Sequence, residues 1–312
     1  MGETWAAAAL DAWDALATTA LRRTRRGVKI LGGPGGGAAP LWPCTQVLWA
    51  AAEVASLGAD PPREELTAGL ARFARGDAYA ATPRGRRFFD DNAWLGLASL
   101  RLAEVDGAGE HVDRAASLAT FELSGEDPSG GVRWVEGGAT RNTCSTASAA
   151  WLAAEVATLR DEPGLRAFAE RSIDWLDAAL RGPDDLYGDH VRADGSVQPT
   201  RWSYNQGAAI AAAAIVGRDP TSTARAALAR FHGATLWREP PAFAVILFRA
   251  LLQRSAVRTE AHDILAEHAT RLLGEARDDT GWFVDGGIGS YGEHPTIDQA
   301  AVVQLLAFLA LA

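Results

Sequence analysis

Lysine is almost missing from this chain: Lys29 is the only one among 30 basic residues. That looks like a compositional bias of the genome rather than a functional device. The more informative shortages are elsewhere. Cysteine occurs twice, as Cys44 and Cys144, which is too few for a disulfide framework or a zinc site. Reduced, buried thiols are the expectation, with one bridge as the upper limit. The six histidines, His111, His190, His232, His262, His268 and His294, keep no metal-ligand spacing, and no metal or cofactor is expected. Neither a GxSxG elbow, a P-loop nor a dinucleotide fingerprint is present, which removes support for serine-nucleophile and nucleotide-cofactor chemistry. Apolar runs such as "AFAVILFRALL" fall short of the roughly 20 residues a membrane span requires. Positive charge is in deficit too: 39 acidic residues against 30 basic ones give −9, with a pI near 5.2. Nucleic acid and anionic membranes need a basic face, so neither is an expected partner. The first residues, "MGETWAAAALDAWDALATTALRR", have helical period and carry their arginines at the wrong end for a signal peptide. As written, the chain is expected in the cytoplasm, or outside the cell if a leader has been removed.

What is present is helix. With 48% hydrophobic and 22% charged residues, the composition is that of a globular protein. Periodicity and punctuation predict about twelve helices, at 3–25, 41–57, 63–75, 91–105, 109–121, 143–160, 164–180, 203–216, 221–233, 241–254, 258–274 and 296–311, with no convincing strand alternation. Short connections such as "RDEPG" alternate with long Gly-rich ones at 26–40, 76–90, 122–142, 181–202 and 275–295, and a shorter one near 234–240. Long structureless loops in a compact domain are usually functional. Helices after long loops ("SYNQGAAIAAAAIVG", "TIDQAAVVQLLAFLALA") are apolar all round, whereas those after short loops are striped: Leu165, Phe168, Trp175, Leu176 and Ala179 share one face. An all-round apolar helix is buried on every side, and a striped one lies outside. The predicted fold is therefore all-α, an (α/α)6 toroid forming a single domain over residues 1–312, and a monomer is expected.

This topology brings the six inner-helix starts to one face: "LWPCTQ", "DDNAW", "RNTCST", "RWSYNQG", "EPPAF" and "TIDQAA". Asp, Asn, Ser and Thr are ordinary N-cap residues, and Trp42, Trp94 and Trp202 taken singly suit a core. "SYNQG", however, opens a helix with three consecutive hydrogen-bonding side chains where a cap needs one. Amides, carboxylates and aromatic faces together suit a neutral polyhydroxylated ligand. The acid pairs Asp184–Asp185 and Asp278–Asp279 sit beside Gly, Pro or Thr and read as turns.

The ordered set "DDNAWLGLA", "GGVRW", "RNTCSTASAAWLAAE", "WLDAAL…LYGDHV", "WSYNQG" and "TIDQAA" resembles glycoside hydrolase family 76, the endo-α-1,6-mannanases, and the related fungal cell-wall enzymes. The resemblance runs from about residue 41 to the C-terminus. It implies an (α/α)6 fold and retaining hydrolysis of α-mannosides, with Asp90 as nucleophile and Asp91 as general acid/base. It further implies that Trp94, Trp134, Asn142, Thr143, Asp189, Trp202, Tyr204, Asn205 and Gln206 contact a mannose-containing glycan, Trp134 and Trp202 by stacking. Gly130, Gly131, Gly137 and Gly138 would let backbone approach the ligand or turn sharply. Arg133 departs from the aromatic continuation usual in the family and points to an anionic substituent or a blocked subsite. Three other readings share these residues: a carbohydrate-binding protein without turnover, a transglycosylase, and an epimerase, which is disfavoured because no histidine opens an inner helix.

Overall fold

The computed structural model describes residues 2–292 and 294–312. Among them are thirteen α-helices, which alternate outside and inside a ring. In chain order the pairs are α1 (Gly2–Ala20) and α2 (Leu41–Ser56), α3 (Arg63–Gly69) and α4 (Phe89–Asp106), α5 (Gly109–Leu123) and α6 (Thr143–Arg160), α7 (Pro163–Ala179) and α8 (Ser203–Ile215). Then α9 (Thr221–Arg230) and the short α10 (Gly233–Arg238) lie outside α11 (Pro241–Arg254), and α12 (Arg258–Arg271) outside α13 (Pro295–Leu311). The inner barrel runs α2–α4–α6–α8–α11–α13 and closes from α13 back to α2, with α1 laid against α13. This is the (α/α)6 toroid that the sequence predicts.

Side-chain size explains the closure. On α13 every residue from Thr296 to Leu309 is buried, and on α6 every residue from Thr143 to Ala154. The outer α7 buries a stripe instead: Leu165, Phe168, Ala169, Ser172, Ile173 and Leu176, with Trp175 and Ala179 only half-buried. Inner helices are rich in Ala, and glycine marks their closest approach. A Cβ on Gly207 of α8 would stand 2.6 Å from the Ile246 carbonyl oxygen of α11, so the two helices meet backbone to backbone.

Strands are where the structure differs from the sequence reading. The first helix ends at Ala20, and Leu21–Thr24 (β1) pairs with Gly27–Ile30 (β2) in an antiparallel hairpin. Ala74–Arg75 (β3) pairs with Ala78–Tyr79 (β4), and Arg141–Asn142 (β5), His190–Val191 (β6) and Val197–Gln198 (β7) form a three-stranded sheet. Residues 70–73 form a 3-10 turn, Leu272–Ala276 a π-turn, and α10 occupies the predicted linker near 234–240. All these strands have two to four residues, below the length at which alternation is readable.

None of the six inner helices has a side-chain cap of its own. Each start is instead capped by the next hairpin around the ring. The N–H groups of Leu41, Phe89 and Thr143 donate to the carbonyls of Ala81 (2.9 Å), Trp134 (3.0 Å) and Asp189 (2.8 Å). Ser203 N–H donates to Glu239 Oε1 (2.7 Å) and Ala242 N–H to Asp298 Oδ1 (3.2 Å). Thr296 N–H donates to Gly32 O (3.1 Å), which locks the last hairpin onto the first. Helix starts leave orphan donors that must find acceptors, and here they join neighbouring repeats.

A second repeated device ties the long loops down. Asn92 of α4 accepts the Tyr79 N–H (2.8 Å) and donates to the Tyr79 carbonyl (2.9 Å). Gln206 of α8 does the same to Tyr187 (2.8 and 3.1 Å), and Gln299 of α13 accepts from Phe283 N–H and donates to Gly281 O, both at 3.1 Å. On α6, Thr146 and Ser145 divide the task at Val132. A buried carboxamide offers a donor and an acceptor side by side, as a neighbouring strand would. With those hands occupied in the wall, the first turn of each inner helix is free to present other side chains to the mouth.

Candidate active site

The loops at the inner-helix N-termini surround a cleft of about 680 Å³. Asp90 and Asp91 lie at its base in the first turn of α4, where Phe88 is the cap residue, so the pair is not itself the cap. Asp90 is held by three donors. Trp134 Nε1–H reaches Oδ2 at 3.0 Å, Cys144 Sγ lies 3.4 Å from the same oxygen, and the Asp91 N–H reaches Oδ1 at 3.1 Å. Asp91 has no comparable side-chain donor among the described residues.

That difference separates the two acids. Burial raises the Asp90 carboxyl from its ordinary value to about 6, its donors holding it back from rising further. Burial also raises Asp91, and the Asp90 charge raises it further, to well above the ordinary carboxylate range. Asp90 thus ionises first while Asp91 keeps its proton. Both are partly open to the cleft, so either can reach a ligand.

Beneath them Trp94 is 1% exposed and packs on Trp49 and Trp151, with ring centroids 6.3 and 6.4 Å away. The walls are aromatic. On one side Trp134, 41% exposed, meets the Phe88 ring edge-on at 5.0 Å. On the other, Phe243 packs against Trp42, Trp202, Tyr204 and Tyr291. Polar groups fill the gaps. Asp189 pairs with His190 Nδ1 at 2.8 Å and meets Asn205 Nδ2 at 3.4 Å. Asn142 lines the cleft with its side-chain oxygen buried and without a hydrogen-bond partner among the described residues. No arginine or lysine is among the described residues lining the cleft. The arrangement sets the Asp90–Asp91 pair, one ionised and one protonated, between apolar faces, with the Asp189–His190 pair and amide groups beside it.

The model of glycosyl hydrolase family 76 matches residues 10–217. The chain belongs to this family. It is a glycoside hydrolase. Solved structures agree on the fold. A family 76 glycoside hydrolase from a bovine Bacteroides thetaiotaomicron strain superposes with a TM-score of 0.86 at 21% identity, over 98% of this chain and 77% of that one. An inactive variant of an α-1,6-mannanase of Salegentibacter sp. HEL1_6, with two consecutive aspartates replaced and α-1,6-mannotriose bound, superposes at 0.81 with 19% identity, over 98% and 99%. Dfg5 from Chaetomium thermophilum, in complex with glucosamine, superposes at 0.68 with 15% identity, over 85% and 79%. No protein of curated function matches the chain in sequence.

Of the residues singled out from sequence, Asp90, Asp91, Trp94, Trp134, Asn142, Asp189, Trp202 and Tyr204 line this family 76 cleft. Thr143, Asn205 and Gln206 do not. Thr143 is fully buried and donates to the Gly188 carbonyl at 2.6 Å, Gln206 clasps Tyr187, and Asn205 stands behind Asp189. Gly130 and Gly131 have positive φ and lie against Trp175, whose ring a Cβ would strike at 2.4 and 2.7 Å, so a packing need accounts for them. Arg133 is spent on Asp127 at 2.6 Å and is absent from the cleft lining, which removes the basis for an anionic subsite there. The sequence reading missed Phe88, Cys144, His190, Phe243, Tyr291 and His294 as cleft residues and left Trp42 to the core. Their signal was position: Trp42, Cys144 and Phe243 stand in the first turn of an inner helix, and the others in or beside a long loop.

Proposed function

We propose that this family 76 enzyme hydrolyses α-1,6-linked mannose chains with retention of configuration. The observation that carries the reading is the split between two neighbouring carboxyls at the base of an aromatic cleft with no arginine or lysine among its described lining residues. Asp90, ionised and aimed by Trp134, attacks the anomeric carbon. Asp91, still protonated, gives its proton to the departing glycosidic oxygen. Water then enters, Asp91 takes its proton, and the bond from sugar to Asp90 is broken. Opposite demands on the two acids are met by opposite environments, as general acid–base catalysis near neutrality requires. The aromatic walls suit the C–H faces of a sugar, and the unpartnered oxygen of Asn142 suits a hydroxyl. Support also comes from the Salegentibacter α-1,6-mannanase, which is inactive when two consecutive aspartates are replaced.

Incubation of wild type, Asp90→Asn and Asp91→Asn with α-1,6-mannan and α-1,6-mannooligosaccharides, followed by chromatography and mass analysis, tests it. Cleavage by wild type alone is expected. Full activity in either variant, or no cleavage by wild type of any α-mannoside, would overturn it.

A further inference from the structure

The side chain on the far side of Asp90 is a thiol. Cys144 stands in the first turn of α6, is 2% exposed and lines the cleft, with Sγ 3.4 Å from Asp90 Oδ2. Trp134 Nε1–H, from the loop that leads into α6, reaches that same oxygen at 3.0 Å. Tyr204 of α8 lines the cleft beside it. The α5–α6 hairpin therefore brings two donors, one from its loop and one from its inner helix, to one carboxylate oxygen of α4. Burial and the Asp90 charge push the Cys144 thiol well above its ordinary value, so it remains S–H and acts as a donor rather than a nucleophile.

We propose that Cys144 is a positioning residue for Asp90: its S–H donates to Oδ2 and, with the Trp134 indole, fixes the carboxylate for attack. The proposal rests on the role given to Asp90 above. A thiol is a weak donor beside a hydroxyl or an indole. It steadies the charge without holding it so tightly that nucleophilicity is lost. Cys44, the other cysteine, lies against the Ala39 carbonyl at 3.9 Å and has no such role.

The test must isolate this donor, because several titratable groups face Asp90. They are Asp91 from α4, Glu122 from α5, Cys144 from α6, Tyr204 from α8 and Tyr291 from the loop before α13, with Asp189 acting on Cys144 and Tyr204. A donor to the ionised carboxylate favours ionisation, so its removal raises the pH at which Asp90 becomes competent. The kcat/KM profile of Cys144→Ala on an α-1,6-mannooligosaccharide is expected to have its acid limb moved to higher pH. Its kcat should be about tenfold lower at an unchanged KM, the scale of one lost hydrogen bond. Cys144→Ser, which keeps a donor, should recover most of both. An acid limb unmoved in Cys144→Ala, or a loss that Cys144→Ser does not recover, would overturn the proposal. An arm independent of turnover separates this failure from failure of the proposed function. In the infrared difference between wild type and Cys144→Ser, the S–H stretch should shift as Asp90 is protonated near pH 6. A band insensitive to pH would contradict the contact whether or not mannan is cleaved.

Discussion

Glu53 and Asp90 are both withdrawn into the same barrel, one near each end, and their carboxyls respond in opposite directions. Glu53 is 2% exposed, and burial alone would raise it, but Arg249 and Arg101 each reach it at 2.9 Å and hold it below the ordinary range. Arg249 in turn sits over the Trp49 ring at 4.5 Å and the Phe308 ring at 4.8 Å, and donates to Gln304. At the mouth, roughly 16 Å away by the helical rise from Trp42 to Glu53 along α2, no arginine or lysine lines the cleft among the described residues, and burial wins. Trp49, Trp94 and Trp151 lie between the two ends. Burial is thus common to both. Partnership decides which carboxyl is structural and which keeps a proton for chemistry.

The sharpest way to break the comparison is to neutralise each end. At the mouth, Asp90→Asn or Asp91→Asn should lower kcat by about 10³-fold or more. The melting temperature of Asp90→Asn should be equal to or above that of wild type, because a desolvated charge is removed, and Asp91→Asn, which replaces a carboxyl that keeps its proton, should melt with wild type. Wild-type kcat/KM should climb as pH rises through about 6, where Asp90 ionises, and fall at higher pH as Asp91 loses its proton. At the floor, Glu53→Gln should cost about 3–5 kcal/mol in denaturant unfolding, the scale of a buried cation left uncompensated. The kcat of its folded fraction should be nearly unchanged. If the mouth variants destabilised and the floor variant inactivated, the division would be reversed.

A smaller effect is expected where the wall holds a loop. Gln206→Leu leaves the buried Tyr187 N–H and carbonyl without their partner and should cost about 1–3 kcal/mol. The smallest concerns Glu122, fully buried behind Asp90 with neither carboxylate oxygen hydrogen-bonded. Burial, then the Asp90 charge, raises it well above the ordinary 4.5. A carboxyl raised on folding binds its proton more tightly in the native state. Its stabilisation is therefore complete below the unfolded value and fades as pH rises from there towards the native one. Glu122→Gln should melt with wild type in acid and above it near neutral pH. Equal melting at both would mean that the charge is accommodated.

The toroid was legible because burial on every side and burial on one side leave different patterns, as α13 and α7 do. The hairpins were not, because two residues such as Ala74–Arg75 carry no period. Leu21–Ile30 was readable in part, since Val28 and Ile30 are buried around an exposed Lys29. Taken alone the Asp pair read as a helix cap, and it stood out only beside the other helix starts and the family resemblance; in the structure the cap residue is Phe88. Capping passes to the next hairpin, through main-chain carbonyls such as that of Trp134, which no side-chain pattern reveals. The same limit misplaced Gln206 and Thr143. A polar residue in the first turn can either face the cleft or clasp the wall in front of it, and sequence spacing is identical for both. Tyr291 and Phe243 were missed because aromatics beside apolar helices read as core.

The most direct test of the division between Asp90 and Asp91 is to trap the sugar on the enzyme. An activated α-1,6-mannobioside fluorinated at C2 of the reacting ring should accumulate as a covalent adduct. Peptide mass spectrometry of the digested protein is predicted to find the added mass on Asp90. An adduct on Asp91, or turnover that proceeds with inverted product and no adduct, would contradict the account.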